Sequence, residues 1–211
     1  KGHCAPALYA TLAERGFFDK EELKSLRHIG AMLQGHPCIH IPGVDMSSGS
    51  LGQGISAACG MALAAKIDNA PYRVYAVLGD GVIEEGQVWE AAMFAAQYRL
   101  DSLVAIVDNN GLQIDGKLSG VCSPEPIPEK FEAFRWHVIR MDAHDFDSIE
   151  AAMQEAETIV GKPVAIIQKS VKGKGVSFME NQVGWHGKAP NDAEYVQAMA
   201  ELTAQLKELE G

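Results

Sequence analysis

Two acidic and amide-bearing clusters carry the first chemical signal in this sequence. Asp80 sits in "GDG" and Asn110 ends "DNN", thirty residues later, and each cluster closes an apolar run, "VYAVL" and "LVAIV". A carboxylate and an amide oxygen are hard donors suited to Mg²⁺ or Ca²⁺. Gly79 and Gly81 leave no Cβ to block a ligand approaching the backbone. Mg²⁺ takes few protein ligands and commonly brings phosphate oxygens, so a diphosphate is the natural third party. Each cluster taken singly also reads as an ordinary turn; the pair, at the two ends of one strand–helix–strand unit, favours the metal reading. His3, His36 in "GHP" and His186 in "WHG" are candidates for proton transfer near neutral pH, the last two in glycine-rich loops where binding residues concentrate.

These groups need elements to hold them. Helices are expected over 6–16, 19–27 with Asp19 as N-cap, 55–67, 84–99, 145–161 and 191–209, and strands over 72–79, 102–109, 137–141 and 162–170. A Gly-, Pro- and Ser-rich loop spans 35–54, and "PEPIPEKFEAF" reads as a Pro-rich connection. Continuous apolar strands alternating with helices imply an α/β fold, a doubly wound and mainly parallel sheet with helices on both faces. Ligands in such folds bind outside the carboxyl ends of the strands, where both clusters fall.

The 211 residues suit one domain, and the formal net charge of −10 argues against nucleic acid or an anionic membrane as partner. No apolar run approaches the ~20 residues of a membrane span. Cys4, Cys38, Cys59 and Cys122 form no C-x-x-C pair and read as the reduced thiols of a cytoplasmic protein. "GSLGQG" follows a polar loop rather than a strand, which disfavours a nicotinamide site, and no nucleotide P-loop pattern occurs.

The segments "KGHCAPALYA", "GHPCIHIPGVDMSSGSLGQG", "GDGVIEEGQVWEAA", "DNNGLQIDG" and "GWHG" occur in an order that resembles the N-terminal, thiamine diphosphate-binding domain of transketolases, most closely the N-terminal subunit of split forms. The resemblance implies a cytoplasmic transferase of the pentose phosphate type that moves a two-carbon ketol unit between sugars or sugar phosphates, with thiamine diphosphate and Mg²⁺ (Ca²⁺ or Mn²⁺ as substitutes). It implies that Asp80, Asn110 and the carbonyl of Leu112 hold the metal, with Gly79 and Gly81 at the diphosphate. His3, His36 and His186 would face the diphosphate, the thiazolium and the reacting sugar. Gly49 and Leu51 would meet the aminopyrimidine through their backbones, and Glu85 and Glu90 would lie at a subunit interface. A further family histidine, in a Ser-Gly-His-Pro-like segment, and the pyrimidine-binding domain are expected outside this chain. The implied partner is a C-terminal, pyrimidine-binding subunit in a dimer of heterodimers. Ser50 stands where the family most often has proline. Lys172 and Lys174 in "VKGKG" either attract phosphate or belong to a solvated loop. A 2-oxo acid dehydrogenase α chain, a deoxyxylulose phosphate synthase-like subunit and a non-catalytic scaffold are the competing readings.

Overall fold

A computed structural model of the protein describes residues 1–210. Four strands, β1 (Val74–Gly79), β2 (Leu103–Asn109), β5 (His137–Asp142) and β6 (Val164–Lys169), form one sheet in the order β1-β2-β6-β5, and every pairing is parallel. A small antiparallel hairpin, β3 (Leu112–Gln113) with β4 (Gly116–Lys117), follows β2. The helices are α1 (Ala5–Glu14), α2 (Gln53–Asp68), α3 (Gly86–Gln97), α4 (Ile127–Ala133), α5 (Phe146–Thr158) and α6 (Asp192–Glu210).

Alternation along the strands divides the sheet into two faces. Leu78, Leu103, Ala105, Val107, Ala165 and Ile167 turn to one face and bury against α2, α3 and α4. Ala58, Ala62, Ala91 and Ala95 line those helices there, and side chains this small let a helix lie close to a sheet. Phe131 of α4 contacts Trp89 and Trp136, each at a ring-centroid distance of 5.3 Å, and the Trp136 indole N–H donates to the Ala92 carbonyl at 2.9 Å. On the other face Val104, Ile139, Val164 and Ile166 pack against Ala152 and Ala156 of α5. Helices do cover both faces, but on the α5 side of β1 Tyr75 and Val77 stay 44% and 46% exposed.

Two expectations are corrected. The segment over 19–27 forms only a short 3₁₀ turn, Lys20–Ser25, although Asp19 caps it by accepting from the Glu21 N–H at 2.9 Å. The Pro-rich connection contains α4, with proline in the first turn, where backbone N–H groups have no intrahelical partner to lose. The loop over 35–54 is held by a third apolar cluster of Ala5, Tyr9, Leu33 and Ile41, and the Tyr9 hydroxyl donates to the Gln34 carbonyl at 2.9 Å. Packing against α1 thus fixes the stretch that carries His36.

Candidate active site

The register of β1 against β2 sets Gly79 opposite Asp108, so "GDG" and "DNN" emerge side by side at the carboxyl edge. The Asp80 N–H extends the ladder one step, donating to the Asp108 carbonyl at 3.1 Å. Its carboxylate then ties the two clusters together. Oδ1 accepts from the Gly81 N–H at 2.9 Å, and Oδ2 accepts from the Asn110 and Gly111 N–H groups at 2.8 and 2.6 Å. At 2% exposure, Asp80 is the one buried charged residue among those described. Burial raises its carboxyl above the usual range, against the pull of the three N–H bonds and of Lys1.

Asn110 turns back on its own chain, its Oδ1 accepting from the Leu112 N–H at 3.0 Å. Gly111 supplies the left-handed conformation this turn needs, at φ 74°, and Leu112 enters the hairpin immediately afterwards. The adjacent Asn109 faces away, donating to Glu125 at 3.1 Å. Asp80, Gly81, Asn110 and Leu112 therefore form one oxygen-rich corner. Among the described residues no cluster of three or more His, Cys, Asp or Glu side chains gathers. The corner offers one carboxylate, one amide and backbone carbonyls, a set that suits a hard cation arriving with oxygens of its own.

The histidines assemble from distant segments. His3 and His186 stack, with centroids 5.2 Å apart and planes at 20°. Burial, then Lys1, His186 and Lys172, push His3 down to about 4. Burial, Lys172 and Lys1 also lower His186. Both rings are thus neutral near pH 7. His36 is exposed but lies against the backbone of Gly49, where an added Cβ would come within 2.8 Å of its Cδ2. A Cβ on Gly2 would in turn meet the Gly49 nitrogen at 2.7 Å. Gly49 thus lies between Gly2, the neighbour of His3, and the His36 ring, and the two glycines permit both approaches.

Gly49, Leu51 and Lys1 line a groove of about 680 Å³ that runs on along the uncovered edge of β1, past Tyr75 and Val77. Glu85 and Glu90 are exposed at the start of α3, and the Glu85 Cβ sits 2.7 Å from where a Cβ on Gly52 would stand.

Sequence reading missed the groups beneath the site. The Lys1 ammonium pairs with Asp108, whose other oxygen accepts from the Ser170 hydroxyl. Burial works against both charges, yet their attraction outweighs it, leaving Lys1 raised and Asp108 lowered. Lys1 also acts on Asp80, His3, His186 and Lys172, so one cation serves the oxygen-rich corner and the histidine pair. Asp108 stands in the quoted "DNN", but nothing local marks its partner. The two loop lysines separate: Lys172 is half-buried with Nζ 3.3 Å from His186 Nδ1, whereas the exposed Lys174 lies 3.5 Å from Glu180.

The sequence family described as "Transketolase, thiamine diphosphate binding domain" matches residues 1–207. An apulose-4-phosphate transketolase subunit of Phocaeicola vulgatus is 41% identical over 210 residues, covering 100% of this chain and 75% of that protein. The 6-deoxy-6-sulfo-D-fructose transketolase subunit SqwG of a Clostridium species is 46% identical, covering 96% and 74%. The crystal structure of Campylobacter jejuni transketolase superposes with a TM-score of 0.89 at 31% identity over 96% of this chain, which spans 33% of that longer one. A parallel sheet with the Asp80–Asn110 corner at its carboxyl edge, matched over nearly its whole length in sequence and in fold, places this chain in the transketolase family, in its thiamine diphosphate-binding domain.

Proposed function

We propose that the chain is the diphosphate-binding half of a transketolase active site, which with thiamine diphosphate and Mg²⁺ transfers a two-carbon ketol unit from a ketose donor to an aldose acceptor. One observation carries the reading: the buried Asp80 carboxylate gathers N–H groups from both the glycine- and the asparagine-bearing turns at the carboxyl edge of the sheet. A carboxylate has about four lone-pair sites, so three N–H bonds leave capacity for a metal. Asp80, Asn110 and the Leu112 carbonyl hold Mg²⁺ in this reading, and Gly79 and Gly81 keep the approach to the diphosphate open.

Thiamine diphosphate, when bound, supplies an electron sink for the two-carbon fragment. The chain's residues supply their half of the site. Gly49 and Leu51 present backbone groups to the aminopyrimidine. His3, His36 and His186 hold hydroxyl and carbonyl oxygens of the sugar and move protons at them. Glu85 and Glu90 face a pyrimidine-binding subunit, which completes the site in a dimer of heterodimers. The names of two relatives, one for a sugar phosphate and one for a sulfonated sugar, support a substrate with an anionic terminal group.

Titration calorimetry of thiamine diphosphate tests this, with the chain alone and with a pyrimidine-binding subunit. Binding that requires Mg²⁺ and tightens with the partner is expected, with ketol transfer only when both are present. Ketol transfer by the chain alone would refute the half-site, and no Mg²⁺-dependent binding with the partner present would refute the metal assignment.

A further inference from the structure

Lys172 and His186 meet across a loop that is built to hold them. After β6 the chain passes Ser170, bonded to Asp108, and turns at Gly173, whose φ is 75° and where a Cβ would clash with the Met179 carbonyl oxygen at 2.5 Å. The Lys172 carbonyl accepts from the Asn181 N–H at 2.9 Å, and the Val171 N–H donates to His144 Nε2 at 2.8 Å. From this clamped position Lys172 Nζ lies 3.3 Å from His186 Nδ1. An ammonium carries three protons and no lone pair, so the ring nitrogen facing it must be the acceptor. The proton of the neutral imidazole is then on Nε2. His3 is stacked on the same ring at 5.2 Å, and burial, Lys172 and Lys1 all disfavour a second proton on it.

We propose that Lys172 is a positioning residue that keeps Nδ1 of His186 free of a proton, so that His186 presents its Nε2–H to the substrate. A neutral N–H aimed at a sugar oxygen stabilises negative charge as it develops there, whereas the opposite tautomer would present a lone pair and repel it. That catalytic consequence rests on the ketol-transfer reading; the tautomer itself does not. The same loop carries its own control, because a backbone N–H meets Nε2 of His144 and places that proton on Nδ1.

Neutron diffraction from deuterated crystals of the complete protein reads both rings directly. Deuterium is expected on Nε2 alone in His186 and on Nδ1 in His144. Lys172→Glu, which offers an acceptor to Nδ1, should bring deuterium onto Nδ1 and lower kcat by ~10²-fold, the scale of a misdirected proton-transfer group. Lys172→Arg, again donor-only, should recover most of that loss, and circular dichroism on each variant separates misfolding from mispositioning. Deuterium on Nδ1 of His186 in the wild type, or a Lys172→Glu ring unchanged from wild type, would overturn the proposal. A protein with deuterium on Nε2 alone and no ketol transfer would uphold the tautomer and refute the reading of the activity.

Discussion

Substituting Asp80 separates its two roles, structural acceptor and metal ligand. Asp80→Ala removes both oxygens and strands the N–H groups of Gly81, Asn110 and Gly111. An unsatisfied buried donor costs about 1–3 kcal/mol. The Gly111 end is exposed, so water recovers part of that, and a net loss of about 3 kcal/mol is expected. At roughly 2–4 °C per kcal/mol for a chain of this size, Tm should fall by about 6–12 °C. Asp80→Asn keeps one oxygen able to accept from Asn110 and Gly111, loses the acceptor for Gly81, and relieves the burial of a charge. Its Tm should stay within about 3 °C of wild type, near the 1 kcal/mol scale of a single exchanged hydrogen bond. The assay is thermal unfolding followed by circular dichroism, with and without Mg²⁺ and thiamine diphosphate. Ligand at a hundred times its Kd stabilises by about 2.7 kcal/mol, so the wild type should gain about 5–11 °C and Asp80→Asn nothing. An Asp80→Ala protein that melts with the wild type would refute the structural reasoning. A Mg²⁺-dependent gain preserved in Asp80→Asn would refute the metal reasoning.

Three further outcomes are expected. His3 titrates at about 4 in the folded chain and near 6.5 when unfolded, so the unfolded state takes up the proton first as pH falls. Stability is therefore untouched by this group above pH ~6.5 and declines towards pH 4; urea titrations across that window should show the decline, flattened in His3→Gln, and an identical slope in the variant would sink the assignment. Lys1→Met leaves the Asp108 carboxylate, 21% exposed, without its cation, and should cost about 3 kcal/mol in urea unfolding. The double change Lys1→Met with Asp108→Asn should recover most of it, and a simple sum of the two losses would show that the pair is not coupled. Gly49→Ala meets a φ of 152° and a contact of 2.8 Å to the His36 ring; it should destabilise by about 1–3 kcal/mol and weaken thiamine diphosphate binding by calorimetry, whereas unchanged affinity would remove this contact from the site.

Strands β2 and β6 were legible because parallel strands buried on both faces read as unbroken apolar runs, and β1 keeps an apolar run although Tyr75 and Val77 on one face stay exposed. Since β1 and β2 end in turn-forming clusters, parallel pairing alone was enough to bring Asp80 and Asn110 to one edge. Asp19 was legible as a cap for the same local reason, its carboxylate reaching an N–H two residues on. The helix α4 was masked by prolines that its first turn tolerates, and the β3–β4 hairpin by strands two residues long. Local chemistry thus pointed to the sheet and to an oxygen-rich corner at its edge, while the order of five segments carried the resemblance to the family. Tertiary structure alone decided that Lys1 neutralises Asp108, that His3 stacks on His186, and that Lys172 rather than Lys174 turns inward. It also decided that one face of β1 is left uncovered at Tyr75 and Val77. The physical reason is distance along the chain. Residue type and spacing govern what a side chain can do within a turn or two, but contacts between remote segments depend on how the loops close over the packed sheet, and no short-range pattern records that.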